Sequence, residues 1–365
     1  MYPDQVAAVS EIKDILANYD LGDLHTFERN DRGYVNTSYA IETLKMGVSQ
    51  KYFMRRYKSG TQEVEVEFEH AVINHLLNKN FGLVAKLYTT KQGSTFCKKY
   101  EAEDVERPIF YSIFQYLAGE DKYTCVDPRC SLLEIKNSAE VLAEFHSAVL
   151  DLSPKGQRFE PRILDLLPQI RKTAIKSVQL SKNTIFDDYL QENLPLILSS
   201  CTAAEQFFTD QHTSTWPQFV IHCDFHPGNL KFEGERVVGL FDFDWSKIDL
   251  RCFDVALAIW YFFTSWKGAE DGILRLDESR VFLDKYQTTM RNLPEHHPLI
   301  QGELQDLPMM INLGNLYVLN WAVTDFYTKD VDPEEYLIWL RHCVKFTRWS
   351  GDSGYDQMQK VLTSQ

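Results

Sequence analysis

Residues 222–229 read HCDFHPGN: two histidines, a carboxylate and an amide set around a Pro-Gly turn. They follow the apolar run Phe219, Val220, Ile221, which predicts a buried strand leading into the loop. A carboxylate at Asp224 can accept the proton of an attacking hydroxyl. The side-chain oxygen of Asn229 is a hard donor of the kind Mg²⁺ prefers. A second carboxylate for the metal should lie close by, and GLFDFD supplies Asp242, with Asp244 two residues on. A tight Gly234-Glu235 turn joins NLKFE to RVVGLFDF. The resulting hairpin is expected to bring Asn229 and Asp242 together. A base for a hydroxyl and two oxygen ligands for Mg²⁺ are the requirements of phosphoryl transfer to an alcohol.

Each of these residues also has a plainer reading. His222 could be a satisfied core histidine, and within this loop its expected task is to hold the chain in place rather than to move a proton. Asp224 could be a turn residue. The triplet His222, Asp224, His226 has the look of a metallohydrolase fragment, but no further histidines follow at ligand spacing. Asp254, in CFDVALAI, is either a helix N-cap or a group that braces the loop.

The elements around the loop fall into two groups. Residues 5–18 have helical spacing; strands are expected at 38–44 and 51–57, joined by a KMGVS turn. A helix follows at 62–78, then strands at 83–89 and 108–117. Beyond Leu117-Ala118-Gly119 the pattern turns helical. AEVLAEFHSAVL at 139–150 reads as a helix with Ser138 as its N-cap, and 162–210 carries further helical spacing. A short β island (QFVIH, NLKFE, RVVGLFDF) interrupts before aromatic-rich helices resume with DVALAIWYFF. An α+β chain is expected, with a β-rich N-terminal lobe at 1–117 and a mostly helical lobe at 118–365 that carries the catalytic loop and acceptor pocket.

The spacing of His222, Asp224 and Asn229 is the H-x-D-x-x-x-x-N of protein-kinase catalytic loops. With LFDFD and FDVALA, the stretch 219–258 resembles the superfamily of aminoglycoside phosphotransferases, choline kinases and type II homoserine kinases. LAEFH at 142–146 resembles that family's L-A-x-x-H helix more weakly. The resemblance implies a bilobal protein-kinase-like fold. It implies Asp224 as catalytic base in a loop with His222, Asn229 and Asp242 as Mg²⁺ ligands, and Asp254 as the loop's brace. In the N-terminal lobe it implies a phosphate-covering hairpin, met by NDRGYVNTSYAIET with Gly33, Asn36 and Thr37. Only one glycine is present there, a departure from a glycine-rich loop. A basic residue is expected on the next strand; strand alternation favours Arg55 over Arg56. Its favoured partner is Glu69, in FEHAVINHL, with the neighbouring Glu65 and Glu67 as alternatives. Gln115, Tyr116 and Leu117 would form the hinge that holds the adenine. There is no G-x-x-x-x-G-K-[ST], which excludes a P-loop nucleotidase.

Composition narrows the partners. The chain has 365 residues, 44% hydrophobic and 25% charged, with 38 basic against 52 acidic side chains and a net charge of −14. Such a chain repels nucleic acid and anionic membranes. Seven cysteines without a CxxC pair point to reduced thiols, and no secretory signal is visible, so a cytoplasmic protein is expected. ATP and Mg²⁺ are the implied cofactors, with GTP an alternative to ATP, and a small-molecule alcohol is the implied acceptor. Trp245, Asp249, Trp260, Trp266, Asn320, Trp321, Asp325 and Trp339 are candidates to line its pocket. Homoserine is the favoured acceptor class, with choline, ethanolamine or an aminoglycoside as alternatives. A protein Ser/Thr kinase is disfavoured because no A-P-E follows Asp242. A non-catalytic binder is disfavoured because it need not retain Asp224, Asn229 and Asp242 together.

Overall fold

The computed structural model describes residues 3–30, 36–101, 104–208 and 213–363. Gly33 therefore lies outside the described residues. The chain divides into two compact units: residues 1–119, 152–159 and 238–244 form the first, and residues 120–151, 160–237 and 245–365 the second.

The first unit is built on a five-stranded antiparallel sheet. Helix α1 (Pro3–Leu16) precedes strands β1 (Asp23–Asn30), β2 (Thr37–Lys45) and β3 (Val48–Arg56). Helix α2 (Glu63–Asn78), β4 (Cys97–Glu101) and β5 (Asp104–Gln115) follow, in the spatial order β1-β2-β3-β5-β4. Met46 and Gly47 both take positive φ, 51° and 79°, and close the β2–β3 hairpin with Lys45 opposite Val48. That is the mirror-image turn that suits the twist of a two-residue hairpin. One face of the sheet buries Tyr39, Ile41, Tyr52, Met54, Ile109, Tyr111 and Ile113 against Ile12, Ile15 and Leu16 of α1.

Helix α2 starts where the Gln62 backbone N–H meets the Glu65 side chain at 3.1 Å, and Glu63 and Glu65 lie in its first turn, where the helix dipole favours acids. Its buried face carries Val66, Val72, Ile73 and Leu76 together with Glu69 and His70. Burying each aliphatic side chain contributes about 1.5–3 kcal/mol, enough to hold the two polar groups inside. A strap from later in the chain, 152–159, lies across the start of α2. Gln157 N donates to Val64 O at 2.9 Å and Lys155 pairs with Glu67 at 2.6 Å. Gly156, at φ +90°, has no room for a side chain: a Cβ there would sit 2.2 Å from Val64 O.

Residues 83–89 are not a strand. The edge of β5 next to them is occupied by β4 from Ile109 to Tyr111. Only Lys86 to Tyr88 reach the remaining edge, through Tyr88 N to Ile113 O (2.9 Å) and Gln115 N to Lys86 O (2.8 Å). Strands β1 and β4 were not anticipated; β1 is an exposed edge whose burial alternates poorly.

The second unit is mostly helical. It contains α3 (Leu132–Ala148), α4 (Ile163–Gln179), α5 (Ile185–Phe207), β6 (Gln218–Ile221), β7 (Leu230–Glu233), and β9 (Lys247–Leu250). It ends with α6 (Arg251–Phe263), α7 (Leu276–Asn292), α8 (Gln301–Thr328), α9 (Pro333–Trp349) and α10 (Tyr355–Leu362). Strand β8 (Arg236–Leu240) belongs partly to each unit. Helix α6 is buried on every side, all its residues but Tyr261 being buried and all but Arg251 and Asp254 uncharged, the mark of a central core helix. Helix α8 packs on α6, α3 on α7, and α9 on both α5 and α8. Helix α3 begins seven residues earlier than its hydrophobic spacing suggests. Its cap is Ser131, whose Oγ accepts from Glu134 N (3.3 Å) while Glu134 accepts from Ser131 N (2.7 Å). Ser138 is buried inside the helix. Among the described residues no helix is long and apolar enough to cross a membrane.

Candidate active site

Strand β6 pairs antiparallel with β9, Ile221 opposite Lys247, and releases the chain into 222–229. The loop is hung from one carboxylate. Asp254, in the first turn of α6 and fully buried, accepts the backbone N–H of Cys223 on Oδ1 (2.8 Å) and that of His222 on Oδ2 (2.9 Å). Asp254 is therefore no N-cap of its own helix, whose cap position is Leu250. Cys223 takes φ +63°, so the chain turns sharply where both donors meet the same carboxylate. His146, near the end of α3, adds a third bond to Asp254 Oδ2 at 3.0 Å, and its other nitrogen lies 2.7 Å from the Tyr286 hydroxyl. Burial works against the Asp254 charge, but the His146 ring and the backbone donor of His222 outweigh it and hold its pKa below the usual carboxylate value. Burial pushes His146 below the ordinary histidine value. A neutral His146 then donates from Nε2 and accepts from Tyr286 on Nδ1.

The His222 ring has no exposed surface and packs edge-on against Phe145 (6.1 Å between centroids) and Phe225 (6.0 Å). Asp224 is partly exposed, its side chain at 19%. Its Oδ2 accepts from Asn229 Nδ2 at 2.8 Å, and the same amide bonds the Asp224 carbonyl at 2.9 Å. The Asn229 amide is thus turned with nitrogen toward Asp224. Its oxygen and Oδ1 of Asp224 take no hydrogen bond among the described residues.

In the first unit, Arg55 on β3 lies between Ser38 of β2 and Ser112 of β5. Its guanidinium makes two ion pairs, Nη1 to Glu69 Oε1 at 2.9 Å and Nη2 to Asp242 Oδ1 at 2.8 Å. Arg56 faces elsewhere, toward Tyr111 and Glu11. Burial opposes the Arg55 charge, but Asp242, Glu69 and Asp244 more than offset it and hold the group protonated. Burial lifts the Glu69 carboxyl above its ordinary value, and Arg55 opposes that rise. The other Glu69 oxygen accepts from the Tyr57 hydroxyl at 2.9 Å. Behind it His70, pushed down to about 3 by burial, contacts Tyr57 and Ser112 through Nε2 and Thr95 through Nδ1. Asp242 takes φ +69°, and a third of its side chain is exposed. Asn36 donates to Asp244 Oδ2 at 2.8 Å and accepts from Lys58 N at 3.0 Å. Thr37 opens β2 opposite Arg56. Gln115 is exposed at the end of β5, and Leu117 is half-buried beyond it.

Two of the acceptor-pocket candidates are consumed by the core. Asp249 is buried with Lys247 at 3.3 Å and accepts from Ile163 N and Leu250 N. Trp260 is packed among Tyr261, His342 and Phe346. Trp266, Trp339 and Trp321, with the buried Trp260 as an inner link, join a continuous run of rings. From the loop it passes from His226 to Tyr261 (5.2 Å), Trp260 (5.3 Å), His342 (5.3 Å) and Trp266, stacked at 3.5 Å. It continues through Trp339 (4.9 Å) and Trp321 (5.5 Å) to Tyr336 (5.6 Å). The Tyr336 hydroxyl meets Asp325 at 3.4 Å. Asn320 precedes Trp321 on α8, and Trp245 is half-buried just before β9. The sequence reading missed His146, Tyr286, Tyr57 and Tyr261. Only the first carried a signal, the L-A-x-x-H spacing.

Comparison with known proteins places the chain in a family. The sequence profile of the APH phosphotransferase enzyme family matches residues 26–284. A homoserine kinase of Parvibaculum lavamentivorans is 25% identical over 341 residues, covering 91% of this chain and 92% of its own. The solved structure of a microcompartment-associated aminopropanol kinase superposes with a TM-score of 0.70 at 14% identity, covering 95% of this chain and 98% of that one. An amicoumacin kinase in complex with AMP-PNP and Ca²⁺ gives 0.63 at 13% identity, covering 96% and 94%. The matched span takes in β2, the Arg55–Glu69 pair and the whole of 222–254, and the chain belongs to the APH phosphotransferase enzyme family, as a small-molecule phosphotransferase of kinase-like α+β fold.

Proposed function

We propose that the protein transfers the γ-phosphoryl group of ATP to the hydroxyl of a small amino alcohol, homoserine first among them. The observation that carries the reading is the division of labour at Asp224 and Asn229. One Asp224 oxygen is fixed by the Asn229 amide at 2.8 Å, which leaves Oδ1 to accept the acceptor's proton. Asn229 then has its side-chain oxygen left to offer to a cation, and Asp242, with one oxygen on Arg55, has the other. Among the described residues no three acidic, histidine or cysteine side chains gather as a metal cage. Mg²⁺ uses one or two protein oxygens and completes its shell with phosphates and water. Bound Mg²⁺ would neutralise charge on the phosphates. Arg55, kept charged and aimed by Glu69, would contact the phosphates, with Asn36, Thr37 and Gly33 on the covering hairpin and Gln115 to Leu117 at the adenine. Asp254 and His222 hold the loop. Most of the rate enhancement is positioning and charge stabilisation.

The relatives named homoserine kinase support a zwitterionic acceptor. The rings of Trp321 and Tyr336 support an ammonium group on it through cation–π contact, while Asp325 beyond them is already paired with Lys329 at 2.6 Å. The same rings equally favour an amino alcohol without a carboxylate, which is the second reading. The seven unpaired cysteines support a reducing, cytoplasmic setting.

The test is an ATP-consumption assay with Mg²⁺ over homoserine, aminopropanol, ethanolamine, choline and an aminoglycoside. Asp224→Ala should keep nucleotide binding and lower turnover about 10²–10⁴-fold. Parental turnover in that variant would remove Asp224 as the base.

A further inference from the structure

The second histidine of the loop, His226, is neither the proposed base nor a proposed metal ligand, and its surroundings give it a task of its own. The His226 Nδ1 accepts the backbone N–H of Gly228 at 3.0 Å. That bond requires an unprotonated Nδ1, so the neutral ring carries its proton on Nε2. Nε2 lies 3.5 Å from Asp224 Oδ2. The ring is held by Tyr261, 5.2 Å away at 56°. It is also held by the absence of a side chain at residue 228, where a Cβ would come 2.8 Å from the ring's Cε1 and 2.9 Å from Nδ1. Gly228 is thus required for the ring to lie where it does.

We propose that His226 is a positioning residue for the reaction. The Asn229 amide bonds Oδ2 of Asp224 at 2.8 Å, and the His226 Nε2–H, which faces the same oxygen at 3.5 Å without closing a hydrogen bond, biases the carboxylate electrostatically to present Oδ1 to the acceptor hydroxyl. The idea rests on Asp224 being the base. It differs from a purely structural role, in which His226 only caps the short 3₁₀ turn Pro227–Asn229 through Gly228 N. The two nitrogens have separate tasks, and two substitutions separate them. An asparagine amide can stand in for Nδ1 and keep the cap but cannot reach Asp224. A glutamine amide can stand in for Nε2 and keep the donor but loses the cap.

The experiment measures kcat and KM for ATP and acceptor, with melting temperature, in His226→Asn and His226→Gln. His226→Asn should lower kcat roughly 10- to 100-fold with both KM values nearly unchanged. His226→Gln should keep most of kcat while melting at a lower temperature. Parental kcat in His226→Asn, or equal losses in both variants, overturns the proposal. A second readout needs no turnover. In the ¹⁵N-histidine-labelled protein, His226 should appear as the Nε2–H tautomer, and its Nε2 signal should move in Asp224→Ala. An Nδ1–H tautomer, or an unmoved signal, overturns the proposal whatever the assay shows. Absence of turnover on every acceptor by the parental enzyme counts against the proposed reaction instead.

Discussion

Replacing Asp254 by asparagine removes one charge and one acceptor from the point where the catalytic loop is hung. Three N–H donors converge on this fully buried carboxylate: Cys223 N at 2.8 Å, His222 N at 2.9 Å and His146 Nε2 at 3.0 Å. The least costly orientation of asparagine keeps its oxygen in the Oδ2 position, facing His222 and His146. The Cys223 N–H then faces an amide NH₂ and goes unpaired. An unsatisfied buried donor costs about 1–3 kcal/mol, and losing charge assistance on two bonds costs about 1 kcal/mol each. The sum is roughly 3–5 kcal/mol. At about 2–4 °C per kcal/mol for a unit of this size, the melting temperature should fall by roughly 6–20 °C. The loss also reaches the chemistry, because Cys223 directly precedes Asp224. A displacement of the base on the order of 1 Å lowers turnover about 10²-fold. The assay pairs thermal unfolding with kcat and KM for ATP. If both melting temperature and kcat stay at parental values, the loop is not suspended from Asp254, and the account of how Asp224 is aimed fails with it.

Three further outcomes follow from the same structure. His70 and His146 are both held below the ordinary histidine value by burial, so below pH 6.5 the unfolded chain binds protons that the folded one does not. Stability should therefore fall with pH, by up to about 1.4 kcal/mol per pH unit for each histidine. For His70 the window runs from 6.5 down to about 3, and denaturant melts at stepped pH would show a flat profile if both rings were already charged in the folded protein. Tyr57→Phe strips the Glu69 carboxylate of a bond at 2.9 Å and should cost about 1.5–3 kcal/mol. It should also raise KM for ATP through Arg55; an unchanged KM would uncouple that pair from the nucleotide. Trp321→Ala should raise KM for the acceptor and leave KM for ATP alone, and equal rises would deny the ring series a part in acceptor binding.

What the sequence determined by itself is what depends on residues near one another along the chain. The loop at 222–229, the hairpin turns at Met46-Gly47 and Gly234-Glu235, and the apolar helix around VALAIWYFF are all local patterns. Strand alternation likewise separates Arg55 from Arg56 without reference to the rest of the fold. The tertiary structure alone decided which distant groups meet. Arg55 touches Asp242, 187 positions away, and the start of α2 is held by a strap from 152–159. His146 reaches Asp254, and Tyr286 reaches His146, from helices that share no sequence pattern with it. The same long-range competition denied residues 83–89 a full strand, because β4 had already taken most of the free edge of β5. Asp249 and Trp260 have residue types that suit a binding pocket but were drawn into the core. Spacing shows which face of an element a side chain occupies. What that face packs against is set by burial and pairing across the whole chain, where hydrophobic surface and ion pairs from remote segments compete for the same partners.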